Sequence, residues 1–80
     1  MEPGQIIRQA RQASGVSQLT LALELGFTNG QFISNIERGL SPLPPKYVGR
    51  ISDRLGIDRE ILIDALIAEE RTQILEEVGQ

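Results

Sequence analysis

Ser17-Gln18-Leu19-Thr20-Leu21-Ala22-Leu23-Glu24-Leu25-Gly26, followed by Phe27-Thr28-Asn29-Gly30-Gln31-Phe32-Ile33-Ser34-Asn35-Ile36-Glu37-Arg38-Gly39, is the stretch on which the fold turns. In each half, apolar residues recur at helical spacing behind a small polar residue, and a glycine ends the run where a left-handed C-cap belongs. Ser17 is a natural N-cap for a two-turn helix to Leu25, with Leu21, Ala22 and Leu25 at core spacing. Thr28-Asn29-Gly30-Gln31 fits a capping box, with Phe27 and Phe32 as its hydrophobic staple. The spacing therefore predicts a second helix over 28–38, with Phe32, Ile33 and Ile36 turned to the core.

Outward from this pair, Gly15 and Gly56 repeat the stop signal. A first helix is expected from Pro3, with Ile7, Ala10 and Ser14 on one face. Leu40-Ser41-Pro42-Leu43-Pro44-Pro45 reads as a stiff, ordered loop, because its prolines lack donors and restrict their neighbours. A fourth helix is expected from about Pro45 to Leu55, with Val48, Ile51 and Leu55 on one side. A fifth, capped by Asp58, reaches toward Val78. No strand-like alternation and no repeat is present, so the fold class is all-α: five short helices, each marginal alone and held by mutual packing, the last extended.

Composition narrows the function. Eighty residues suit a single domain over 1–80, and a chain this small buries only a little over ~60% of its unfolded surface. With Cys 0 and His 0, the usual nucleophile, the usual general base and the common zinc ligands are all missing. No enzyme activity, cofactor or metal site is expected. Neither a leader peptide nor an apolar membrane span is evident, so a cytoplasmic location is expected. With the chain ending at residue 80, no ligand-sensing domain is expected either. The formal charge of −3 argues against a general polyanion binder. Its distribution is uneven: residues 1–56 carry six Arg or Lys against four Asp or Glu, net +2, and residues 57–80 carry two against seven, net −5.

The face of the 28–38 helix opposite Ile33 and Ile36 carries Gln31, Ser34, Asn35 and Arg38 at i, i+3, i+4 and i+7. A solvated face normally mixes Lys with Glu, whereas this one is amides and a hydroxyl ending in an arginine. Amides make paired hydrogen bonds to adenine, and arginine serves guanine or a phosphate. The stripe suits base edges in a DNA groove.

Ser17-Gln18-x-x-Leu21-Ala22-x-x-Leu25-Gly26, Ile33-Ser34-x-Ile36-Glu37-Arg38-Gly39, the prolines downstream and Leu55-Gly56-Ile57 together resemble the Xre helix-turn-helix family, which includes phage Cro proteins and repressors. The likeness covers about residues 4–63 and leaves an acidic helical extension over about 64–80. It implies a five-helix, lambda-repressor-like DNA-binding domain. It further implies a transcriptional regulator that acts as a homodimer on a near-palindromic operator in double-stranded DNA, most simply a Cro-like repressor, with 28–38 as recognition helix. Ala22 matches the small residue where the two motif helices cross, Gly26 the turn glycine, and Gly39 the cap of the recognition helix. Ile33 and Ile36 anchor that helix. Arg11 matches a helix-1 arginine that pairs with Glu37. Gln31, Ser34 and Asn35 are the expected base contacts, and Gln18, Asn29, Arg38 and Lys46 the phosphate contacts.

The sequence departs from the pattern in four places. Gly26 to Glu37 is one residue longer than usual, so base contacts are counted back from Glu37. The loop after Gly39 lacks basic residues until Lys46, which thins the phosphate grip. Leu19 and Leu23 stand where polar residues are usual. The extension carries Leu66, Ile67, Ile74 and Val78, interrupted by Glu70 and Arg71. These six apolar residues are candidate contacts to a second protomer, or to one another. They also support an alternative, a protein-interaction module of the same fold, such as an antitoxin that binds a protein partner through the last helix or the Leu19-Leu23 patch.

Overall fold

The computed structural model describes residues 1–79; Gln80, the last residue of the expected extension, lies outside them. Five α-helices follow one another: α1 (Pro3–Ala13), α2 (Gln18–Glu24), α3 (Gln31–Glu37), α4 (Val48–Leu55) and α5 (Arg59–Val78). No strand occurs among the described residues.

The starts follow local chemistry. At α1, Pro3 opens the first turn and the Gln5 side chain accepts from the Glu2 N–H at 3.3 Å. Ser17 Oγ accepts from the Thr20 N–H at 3.0 Å at the start of α2, and Asp58 Oδ1 from the Glu60 N–H at 2.9 Å at the start of α5. The first four helices end alike. After α2, Gly26 takes φ +95°, the Phe27 N–H returns to the Ala22 carbonyl at 3.0 Å, and the Gly26 N–H bonds Leu23. A left-handed residue is required there, which only glycine adopts at little cost. Gly15, Gly39 and Gly56 close α1, α3 and α4 with the same kind of return bond.

Ile7 of α1, Leu21, Ala22 and Leu25 of α2, Ile33 and Ile36 of α3, and Val48, Ile51 and Leu55 of α4 form the core. Val16 and Leu43 plug its ends, the latter held between prolines at 2% exposure. Ala22 is fully buried among these residues, so a larger side chain would part α2 from its neighbours. Glycine also admits backbone contact. A Cβ on Gly4 of α1 would run into the carbonyl oxygen of Ile36, with Glu37 Cα at 3.0 Å, so α1 lies directly on the last turn of α3.

Six expectations are corrected. The helix expected from Thr28 begins at Gln31, because 28–30 form a turn instead. Its capping box is absent: Asn29 Oδ1, not Thr28, accepts the Gln31 N–H, at 2.9 Å. Phe32 is only half-buried, unlike Ile33 and Ile36. The helix expected from Pro45 opens as a 3₁₀ turn, Pro45–Tyr47, and becomes α-helical at Val48. Ser14 shares an angle with Ile7 but is the exposed C-cap of α1, beyond the core. Leu66 packs on its own core one turn after Leu62, so it is not a free contact.

Only the first two turns of α5 are anchored, by buried Leu62 and partly buried Ala65 and Leu66. From Ile67 to Val78 every residue is exposed, and the projecting helix fits the 41 Å long dimension of a molecule 24 by 20 Å across. The apolar residues of the extension do not fold back on α2, since Leu19 and Leu23 remain 49% and 53% exposed.

Candidate nucleic-acid interface

Helices α2 and α3 pack closely and present the outward face of α3. Gln31 and Arg38 are exposed on it, while Ser34 and Asn35 are half-buried. Gln31 Nε2 donates to Asn35 Oδ1 at 2.7 Å, so the two amides form a short ladder one turn long. This leaves the Gln31 carbonyl and the Asn35 amino group free, an acceptor and a donor held side by side. Such a pair matches the alternating groups on base edges in the major groove.

An ion pair fixes the far end of the ridge. Arg11 Nε and Nη2 donate to both Glu37 carboxylate oxygens at 2.7 and 3.0 Å, with the Arg11 and Glu37 side chains 12% and 2% exposed. Arg11 Nη1 also donates to the Val16 carbonyl at 2.8 Å, and Gln18 Nε2 to Glu37 Oε1 at 3.1 Å. One carboxylate thus ties together α1, the start of α2 and the end of α3. The Glu37 hydrogen bond raises the Arg11 guanidinium above its ordinary value, against the opposing effect of burial.

The near end is held by backbone contact and aromatic packing. A Cβ on Gly30 would lie 3.2 Å from the Leu19 nitrogen, so the turn before α3 rests on the first turn of α2. Phe27 and Phe32 stack at 4.0 Å with 13° between their planes, and Tyr47 closes on them at 5.6 and 5.2 Å. These three are all the aromatic residues the chain has. The cluster braces α3 against the turn that carries Lys46, whose ammonium lies 5.2 Å from the Tyr47 ring.

The expected phosphate-binding residues are in different states. Arg38 and Lys46 are exposed. Gln18 has one amide hydrogen committed to Glu37, leaving the other for an outside acceptor, and Asn29 has its oxygen committed to the Gln31 N–H. The sequence reading missed several contacts that shape the site. Arg50 donates to the Glu24 carbonyl at the end of α2 at 2.6 Å, and Arg54 pairs with the Glu24 carboxylate at 2.6 Å, so α4 clamps α2. Gly4, Gly30 and Tyr47 were missed too. Only the coincidence of all three aromatics near the motif offered a signal in the sequence.

No helix among the described residues is long and apolar enough to cross a membrane. A family description, helix-turn-helix, matches residues 7–62, from the middle of α1 into the first turn of α5. No curated protein and no solved structure matches the chain. The all-helical, five-helix arrangement agrees with a lambda-repressor-like domain. The chain belongs to the Xre family of Cro/C1-type helix-turn-helix proteins and is a DNA-binding regulator of that family.

Proposed function

We propose that the protein is a sequence-specific, Cro-like transcriptional repressor that occupies a near-palindromic operator as a homodimer. Helix α3 enters the major groove; Gln31, Ser34 and Asn35 read base edges, while Arg38, Lys46, Asn29 and the spare amide hydrogen of Gln18 hold the phosphates. Residues of about 4–63 act as the DNA-binding unit, and the rest of α5, to Val78, as an appended helix. The observation that carries this reading is the outward face of α3, where two amides are joined by a 2.7 Å hydrogen bond. A preorganised donor and acceptor lose little freedom on meeting a base.

Replacing Gln31 and Asn35 by alanine tests it. Each bidentate base contact discriminates by ~1–3 kcal/mol, so the double variant should lose at least about thirty-fold in affinity for its operator. Binding to unrelated duplex should stay, since phosphate contacts supply that term. Unchanged operator affinity would sink the proposal.

A second reading has its own observation. Leu19 and Leu23, one turn apart on α2, are both about half exposed, which suits a small protein-contact patch. Under that antitoxin-like reading the Gln31 and Asn35 substitutions change nothing, and Leu19→Ser abolishes partner capture.

A further inference from the structure

Beyond its anchored first turns, α5 carries a face that nothing among the described residues covers. Ile67, Ile74 and Val78 are 58%, 51% and 76% exposed, and Ile63, nearer the body, 36%. Leu62 and Leu66 point to the core, so this face is turned well away from it. The four residues are spaced 4, 7 and 4 apart, so that Ile63 stands eleven residues before Ile74 and Ile67 eleven before Val78. That spacing, ~3.67 residues per turn, keeps a stripe nearly straight along an α-helix.

We propose that this stripe pairs with the same stripe of a second copy, parallel and in register, about a two-fold axis along α5. The charged interruption selects the orientation. At 3.6 residues per turn, Ile67 and Ile74 lie at the centre of the stripe, and Glu70 and Arg71 flank it on opposite sides. In a parallel two-fold pair, the flank bearing Glu70 meets the partner's flank bearing Arg71, so two opposite-charge pairs form. In an antiparallel pair each flank meets its own kind, setting Glu70 beside Glu70 and Arg71 beside Arg71. The break in the apolar stripe thus fixes partner, direction and register.

Four partly exposed side chains per copy bury less than the ~1,200 Å² at the lower end of stable interfaces. The pair is therefore concentration-dependent and dissociates on dilution in the absence of DNA. This inference deepens the homodimer part of the proposed function.

The test uses the full chain without DNA. Sedimentation equilibrium should show a reversible monomer–dimer system. Glu70→Arg alone and Arg71→Glu alone should each weaken it at least about ten-fold, with helical content kept by circular dichroism. An equimolar mixture of the two variants should restore it, because each reversed charge then meets its opposite. The chain has no cysteine, so Ile74→Cys should oxidise to a covalent dimer on its own. An antiparallel pair leaves the two 74 positions about 10 Å apart along the axis, beyond disulfide reach. A monomer at every concentration overturns the proposal. So does a Glu70→Arg chain that dimerises like the parent, or cross-linking only between Ile67→Cys and Ile74→Cys chains. Because no DNA is present, a chain that pairs but recognises no operator refutes the operator reading alone. A chain that recognises an inverted repeat with α5 unpaired refutes this proposal alone.

Discussion

Glu37→Gln is the substitution whose consequence the structure defines most sharply. The carboxylate accepts from Arg11 Nε, Arg11 Nη2 and Gln18 Nε2, at 2.7, 3.0 and 3.1 Å. With Gln the shape is kept, but the negative charge is lost and one oxygen becomes a donor facing a guanidinium. Arg11, with its side chain 12% exposed, is then left charged and incompletely paired. Breaking such a pair from one side costs ~3–5 kcal/mol. A chain of this length is stable by ~4–12 kcal/mol in total, and each kcal/mol moves the melting temperature by about 4–8 °C. A drop of at least about 12 °C is expected, read by circular dichroism on heating and by urea unfolding. The Arg11 guanidinium is raised above its ordinary value, so its share of the stability is lost only as pH climbs past that range. The deficit should therefore be the same at about pH 7 and about pH 9. In an Arg11→Met background no stranded charge remains, and Glu37→Gln should cost far less. A single variant that melts within about 2 °C of the parent would refute the reasoning.

Other outcomes follow from the same geometry. Gly4→Ala should destabilise by ~1–3 kcal/mol although alanine favours helix, because the new methyl meets the Ile36 backbone; a rise in melting temperature would contradict the contact. Arg54→Ala should change stability by under ~1 kcal/mol, since both partners of its ion pair with Glu24 are more than 40% exposed; chemical denaturation checks this. Lys46→Ala should weaken binding evenly across DNA sequences and lower the salt dependence of dimer binding, log affinity against log salt, by about two units, one per protomer; an unchanged slope removes Lys46 from the phosphate contacts.

The helix order was legible because its signals are local. Glycines at 15, 26, 39 and 56 adopt the left-handed conformation that their positions suggested, and Ser17 and Asp58 make the caps expected of them. Misreadings arose where a local pattern competed with a contact distant in sequence. Thr28 looks like a cap for Gln31, yet Gly30 presses on the α2 backbone, and the turn this creates gives the capping role to Asn29. Periodicity placed Ser14 with Ile7, but periodicity is silent about where the last turn stops. Sequence proximity groups Leu66 with Ile67, although it lies one turn from Leu62 and follows it into the core. The bonds from Arg50 and Arg54 to Glu24 span 26 and 30 residues, and Gly4 touches α3 across a similar distance. Spacing within a helix carries no trace of such neighbours. The Arg11–Glu37 pair, equally distant in sequence, was expected only through the family resemblance.

The central claim is that the α3 ridge recognises particular base pairs. Selection of bound sites from random duplex DNA, repeated at two salt concentrations, measures it directly. Enrichment of one short motif in two inverted copies is expected, centred about one helical turn apart or a multiple of it, and retained at the higher salt. A pool that stays random while binding fades with salt would contradict it.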